Sequence, residues 1–181
     1  MSKKSAGLLL FREVSGRLDV LLVHPGGPFW AKKDKGAWSI PKGEFKDNED
    51  PLEAAKREFE EETGFTPPDY EMIPLEPLRQ PSGKLVYAWA TKCDLDPAGF
   101  KSNTFSMEWP PKSGRQQEFP EIDRAAWFVI EEASHKILKG QVAFLIQLKE
   151  KLGGSSRVPE YGGSAKSKND LGKQRYLFDL D

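Results

Sequence analysis

Three glutamates, Glu58, Glu61 and Glu62, stand at positions i, i+3 and i+4. On a helix that spacing projects all three carboxylates from one face, within reach of one another. Like charges so placed destabilise an isolated helix by roughly a few tenths of a kcal/mol per pair, so the arrangement asks for a compensating cation. Clustered carboxylate oxygens suit a hard divalent ion, Mg²⁺ or Mn²⁺, whereas zinc takes His or Cys, of which the chain has two and one. A divalent ion held this way polarises the oxygens it binds and activates water. Arg57, four residues before Glu61 and eight after Glu49, is spaced to neutralise and orient a carboxylate without occupying the metal face. Taken alone, the three glutamates are better explained as a solvated acidic helix face.

The elements that position these residues follow from local patterns. Residues 51–63 form the clearest helix: Asp50 suits the N-cap, Pro51 the first helical position and Gly64 the left-handed C-terminal position. Leu52, Ala55, Phe59 and Thr63 share a stripe that should face the core. Residues 6–12 and 18–24 read as strands joined by a hairpin turn at 14–17, followed by a Gly/Pro-broken loop over 25–36. Further strands are expected at 71–78, 84–93 and 125–130, and a helix at 141–152. Residues 94–120, rich in Pro, Ser and Lys, read as a long loop that either overhangs the site or is an inert insertion.

With 181 residues, 38% hydrophobic and including five Trp and eleven Phe, the chain can bury a core without disulfides or metal staples. Its net charge of −1 argues against holding nucleic acid or an anionic membrane by bulk basicity. That charge is segregated, however. Residues 44–62 carry nine acidic against three basic side chains, leaving a positive excess over the rest of the chain. Cys93 as the single cysteine excludes an internal disulfide and a thiolate zinc site, and reads as a half-buried strand residue. The apolar run 6–11 after Lys3 and Lys4 ends at Arg12, short of the roughly 7–15 residues of a signal core and the ~20 of a membrane span. A soluble, cytoplasmic chain is expected. From residue 153 a Gly/Ser/Lys-rich tail ending in Tyr176-Leu177-Phe178 reads as flexible or docked back, against a domain over 4–152.

What singles out the glutamates is the full spacing: Gly43, five residues, Glu49, seven residues, then Arg57-Glu58-Phe59-Glu60-Glu61-Glu62-Thr63-Gly64-Phe65. It matches every position of the Nudix box, G(x5)E(x7)REUxEExGU with U apolar. The approach Trp38-Ser39-Ile40-Pro41-Lys42-Gly43 is similar to the W-x-x-P-K-G found in many members. On these residues the chain resembles the Nudix hydrolase family, in its bacterial MutT-like nucleoside triphosphate pyrophosphohydrolase type. The resemblance implies an α/β fold, an α/β/α sandwich with a mixed central sheet and the box as loop, helix and loop. It implies hydrolysis of a nucleoside diphosphate linked to another moiety, with Mg²⁺ as cofactor and Mn²⁺ as a substitute.

Carried over residue by residue, Glu58, Glu61 and Glu62 become the metal ligands, with Glu58 foremost for holding or deprotonating the attacking water. A backbone carbonyl of Lys42 or Gly43 completes the shell, and Glu49 with Arg57 form a supporting ion pair. The stretch Glu121-Ile122-Asp123-Arg124-Ala125-Ala126-Trp127 is similar to a late-strand pattern that supplies one more carboxylate, making Glu121 first choice and Glu118 the alternative. Lys42, Arg79 and Lys84 are candidates for phosphate, and Trp38, Trp89 and Trp109 for stacking a base. His24 reads as a strand-end residue and His135 as a surface helix residue, neither with ligand-like company. Pro81 and Tyr87 fall off the family's positions for ADP-ribose and dinucleoside polyphosphate markers, while Pro41-Lys42-Gly43 leans toward dinucleoside polyphosphates or nucleoside triphosphates. The expected partner is a small nucleotide, with no DNA and no membrane, taken up by a monomer or homodimer. The alternatives are an RNA 5′-pyrophosphohydrolase and a non-catalytic nucleotide-binding regulatory module.

Overall fold

Strand β1 (Lys4–Val14) is buried along most of its length, so both of its faces must be covered. In the computed structural model, which describes residues 3–153, its alternate side chains feed two separate cores. Ala6, Leu8 and Leu10 meet α1 (Pro51–Thr63) through Ala54, Ala55 and Phe59. Leu9 and Phe11 point the other way, to Ala133 of α2 (Ile130–Lys136) and to Phe144, Leu145 and Leu148 of α3 (Val142–Lys151). The result is the expected α/β/α sandwich.

Around β1 the sheet is mixed. β2 (Arg17–Pro25) pairs antiparallel through the expected hairpin, with Val14 opposite Arg17. β5 (Leu85–Lys92) runs parallel, with Gly7 opposite Ala88. β4 (Ile73–Arg79) and β8 (Ile122–Val129) lie at the edges in the order β4-β5-β1-β2-β8, while β3 (Lys42–Glu44) pairs antiparallel with the start of β1. That pairing puts Gly43 opposite Ala6, and a Cβ added at Gly7 would overlap the Pro41 carbonyl and Lys42. Close approach at Gly7 is therefore what lets β3 sit beside the helix.

The structure departs from the sequence pattern in three places. Residues 94–120 are not one loop: after a short 3-10 turn (Pro97–Gly99) they form a hairpin, β6 (Thr104–Glu108) and β7 (Gln116–Pro120), in a sheet of its own. Phe105 opposite Phe119 supplies its apolar pair, a weak signal among Pro, Ser and Lys. The last strand ends at Val129, and Ile130 begins α2, a helix of seven residues with no side-chain cap to announce it. That strand also starts three residues earlier than expected, at Ile122. Among the described residues no helix is long and apolar enough to cross a membrane. The tail over 154–181, with Tyr176-Leu177-Phe178, lies outside the described residues.

Candidate active site

Helix α1 is placed by its ends. Asp50 has extended backbone, and its carboxylate accepts from the N–H groups of Leu52 (3.0 Å) and Glu53 (3.1 Å). Gly64 adopts φ 72°, and its N–H donates to the Glu60 carbonyl at 2.8 Å, where a side chain would be strained. Ala54, Ala55, Phe59 and Thr63 anchor the inner face in the core. With that face fixed, Glu58 and Glu62 turn toward β3 while Glu61 lies nearer solvent.

Contact with β3 is close. The Lys42 N–H donates to Glu62 Oε2 at 2.7 Å. A Cβ at Gly43 would fall on the Glu58 carboxylate, so glycine is what allows that carboxylate to lie against the strand. Arg57 organises the remainder: it donates to both Glu49 oxygens (2.9 and 3.2 Å), to Glu58 Oε1 (2.6 Å) and to Glu61 Oε2 (3.2 Å). One guanidinium thus ties the loop carrying Glu49 to two carboxylates of the helix, as its spacing from Glu49 and Glu61 allows.

These carboxylates are poised to gain from a cation. Loss of solvation pushes the Glu62 carboxyl up to about 7; Glu58 and Glu121 add repulsion, and Lys42 opposes it. Glu58 is also raised, chiefly by burial and further by Glu61 and Glu121, against the pull of Arg57. Burial likewise holds the Lys42 ammonium below an ordinary lysine, helped by neighbouring Lys84 and resisted by Glu62, Glu58 and Glu44. Among the described residues no three His, Cys, Asp or Glu side chains stand close enough to hold a metal ion as they are placed. Glu58 and Glu61 are instead bridged by Arg57. The donor set nevertheless fits a hard divalent ion, being all oxygen, partly desolvated and mutually repelling.

Glu121 directly precedes β8, at the sheet edge opposite β4. Its peptide is held at both ends: the Gly26 N–H donates to its carbonyl (2.9 Å), and its own N–H donates to the Asn103 carbonyl (2.8 Å). Both Glu58 and Glu62 sense its charge. Glu118 stands on β7 opposite Ser106, within the separate hairpin. Between α1 and residues 101–103 lies a cleft of about 330 Å³, lined by Arg57, Glu60, Glu61 and Lys101 among others.

The other sequence candidates are dispersed. Lys84 joins the site margin, paired with Glu44 at 3.0 Å. Arg79 is exposed at the end of β4 and spends its guanidinium on the Gly83 carbonyl of its own turn (3.1 Å). Trp38 is a correction: at 4% exposed it belongs to the core, with its Nε1–H donating to Asp34 and Phe128 edge-on at 4.8 Å, so it has no free face for a base. Trp89 packs against the core beside α1. Trp109 sits on the hairpin, edge-on to the exposed Phe29 at 5.5 Å. Cys93 is half-buried as expected, and burial together with Asp94 pushes its thiol up.

Sequence reading missed Gly26 and Asn103, which bond the Glu121 peptide, and Ser102, Asp123 and His24 beside it: Ser102 accepts from the Ile122 N–H, and Asp123 bonds His24. The structure buries His24 completely and engages both ring nitrogens. An apolar strand ending in a histidine before Pro-Gly-Gly carried that signal faintly. His135 is exposed on α2, as expected.

Comparison with known proteins agrees with this architecture. The family model for the NUDIX domain matches residues 1–148. Among curated proteins, the chain is 57% identical over 37 residues to the mRNA-decapping protein g5R of African swine fever virus, covering 20% of this chain and 15% of that protein. It is 41% identical over 56 residues to the RNA pyrophosphohydrolase of Alkalilimnicola ehrlichii, covering 30% and 31%. The matching stretches therefore span less than a third of these relatives' own lengths. Among solved structures, a binary complex of a C. elegans Ap4A hydrolase is similar with TM-score 0.57 and 24% identity, over 83% of this chain and 98% of that one. The NUDIX domain of Shewanella oneidensis NrtR, complexed with ADP ribose, gives 0.56 and 18%, over 84% and 89%. At such identities the likeness is one of fold.

Proposed function

The chain belongs to the Nudix family, and from that membership we propose that it is a divalent-metal-dependent hydrolase cutting the pyrophosphate linkage of a nucleoside diphosphate bearing a further group. Nucleoside triphosphates and dinucleoside polyphosphates are the favoured substrates. The observation that carries the proposal is the pair Glu58 and Glu62, half-buried against β3 and raised in pKa, with Glu121 adding its charge from across the site. A non-catalytic module has no use for carboxylates held at such electrostatic cost.

A bound Mg²⁺ supplies charge screening at the phosphoryl oxygens and a water of lowered pKa. Glu58, Glu62 and Glu121 are the residues that would hold it, with Glu61 joining when Arg57 yields it and a Gly43 carbonyl beside them. Glu58 is the base in this scheme, taking the proton of the attacking water. Arg57 and Glu49 keep the helix and the preceding loop in register. The Lys42 ammonium, short of solvent and near Lys84, is placed to meet a phosphate.

The test is a turnover screen of nucleoside triphosphates, dinucleoside polyphosphates, sugar nucleotides and ADP-ribose with Mg²⁺ or Mn²⁺, identifying products. Cleavage of a P–O–P bridge in at least one class is expected, and its loss on adding EDTA. No turnover anywhere, with ligand binding intact, supports the regulatory alternative and overturns this reading.

A second reading, hydrolysis at the 5′ end of RNA, is favoured by the local identity to the two RNA-acting relatives. Triphosphorylated RNA belongs in the same screen. Faster release of pyrophosphate from RNA than from free nucleotides would replace the favoured substrate while keeping the chemistry.

A further inference from the structure

We propose that His24 is a positioning residue: clamped between Asp123 and the Lys33 carbonyl, it fixes the start of β8 so that Glu121 faces Glu58 and Glu62. The inference rests on the hydrolase reading above, within which Glu121 is the carboxylate from outside the helix.

His24 has no solvent exposure, and both ring nitrogens are engaged at 2.7 Å, Nδ1 with Asp123 Oδ1 and Nε2 with the Lys33 carbonyl. A carbonyl only accepts, so Nε2 carries a hydrogen and donates it to Lys33, which leaves Nδ1 to meet the Asp123 carboxylate. The ring itself is closed to water and cannot turn without breaking both bonds, which would leave its nitrogens unpaired at a cost. Trp38 stands edge-on at 5.2 Å and closes the remaining side.

The clamp acts where Glu121 is decided. The β2–β8 register shifts between His24 and Pro25, and the next residue, Gly26, binds the Glu121 carbonyl. A Cβ at Gly26 would overlap the Pro120 carbonyl, so the two segments lie in direct contact. On the other side, the Ser102 hydroxyl accepts from the Ile122 N–H at 2.9 Å. Ile122 is buried at 6% exposure, while its neighbours Glu121, in a bend before β8, and Asp123, which the pairing with β2 skips, are both exposed. Pinning Asp123 therefore fixes the bulged entry to β8 from which Glu121 projects, since the β2 ladder itself skips that residue.

Two substitutions split the clamp. In His24→Gln the amide takes the place of Nε2 and keeps Lys33 but loses Asp123; in His24→Asn it takes the place of Nδ1 and keeps Asp123. His24→Gln is expected to lower kcat and equilibrium Mn²⁺ affinity, the latter read by electron paramagnetic resonance without substrate, by about tenfold each, the range for residues that orient metal-site groups. His24→Asn should lose markedly less. In a Glu121→Gln background, His24→Gln should cost almost nothing further, because its target is gone. Should His24→Gln fail to fold, Asp123→Ala breaks the same tie from the exposed side and carries the same expectations. Equal losses of thermal stability in the two histidine variants, with kcat and Mn²⁺ affinity unchanged, would overturn the proposal, as would a full tenfold loss persisting in the Glu121→Gln background. Glu58→Gln run alongside separates this outcome from failure of the hydrolase reading, which a wild-type rate in that variant would signal.

Discussion

The wall formed by residues 42–65 and the wall formed by residues 24–36 and 101–123 bring carboxylates to the same space by different means. In the first, a capped helix and a three-residue strand hold Glu58 and Glu62 through contacts made within about two dozen residues of chain. In the second, Glu121 is held by Gly26 and Asn103, with His24 bonded to Asp123 across 99 positions. Local geometry fixes one wall; long-range backbone pairing fixes the other. The first should therefore respond to helix and glycine substitutions, and the second to breaking single hydrogen bonds far from Glu121 in sequence.

The largest expected effect is on the helical wall. Glu62→Gln should lose at least about a hundredfold in rate while the protein stays folded, measured by initial rates beside circular dichroism. Next comes Gly43→Ala, whose methyl group falls on the Glu58 carboxylate. Displacing that group should cost roughly tenfold to a hundredfold in kcat, with a smaller change in KM. A neutral result would show that β3 and α1 are not in the close contact described.

On the other wall, Glu121→Gln should lose about tenfold, and Glu118→Gln less than about twofold, by the same assay. Reversal of that order would move the extra carboxylate onto the hairpin. The smallest effect belongs to Asp50→Ala. Removing the N-cap should cost about 1 kcal/mol, read as a fall of about 2–4 °C in Tm, with kcat nearly unchanged because the helix is also anchored through Phe59.

The same contrast explains what the sequence could disclose. Helix α1 was readable to its ends because Asp50, Pro51 and Gly64 are local signals, and the site glutamates were readable because the whole box from Gly43 to Phe65 lies within one short run of chain. The sandwich was implied by the resemblance that the box carries, and β1, buried along most of its length, is the strand that it covers on both faces. The hairpin β6–β7 was hidden because its strands are five residues each and mostly polar, and α2 because it carries no capping side chain. Trp38 sits in the approach to the box, yet it faces Phe128 and His24, a packing decision made by residues about 90 and 14 positions away. His24 itself gave no sign of its partners, since neither Lys33 nor Asp123 has a fixed spacing that would announce the clamp.

The central claim is that Glu58 and its neighbours on α1 are the chemical centre. The most direct measurement compares Mg²⁺-dependent cleavage by wild type and Glu58→Gln on the best substrate of the nucleotide screen, with both proteins shown to be folded. At least about a hundredfold loss in kcat with a modest change in KM is the result expected of a group acting on the attacking water. A Glu58→Gln protein that cleaves at the wild-type rate would contradict it.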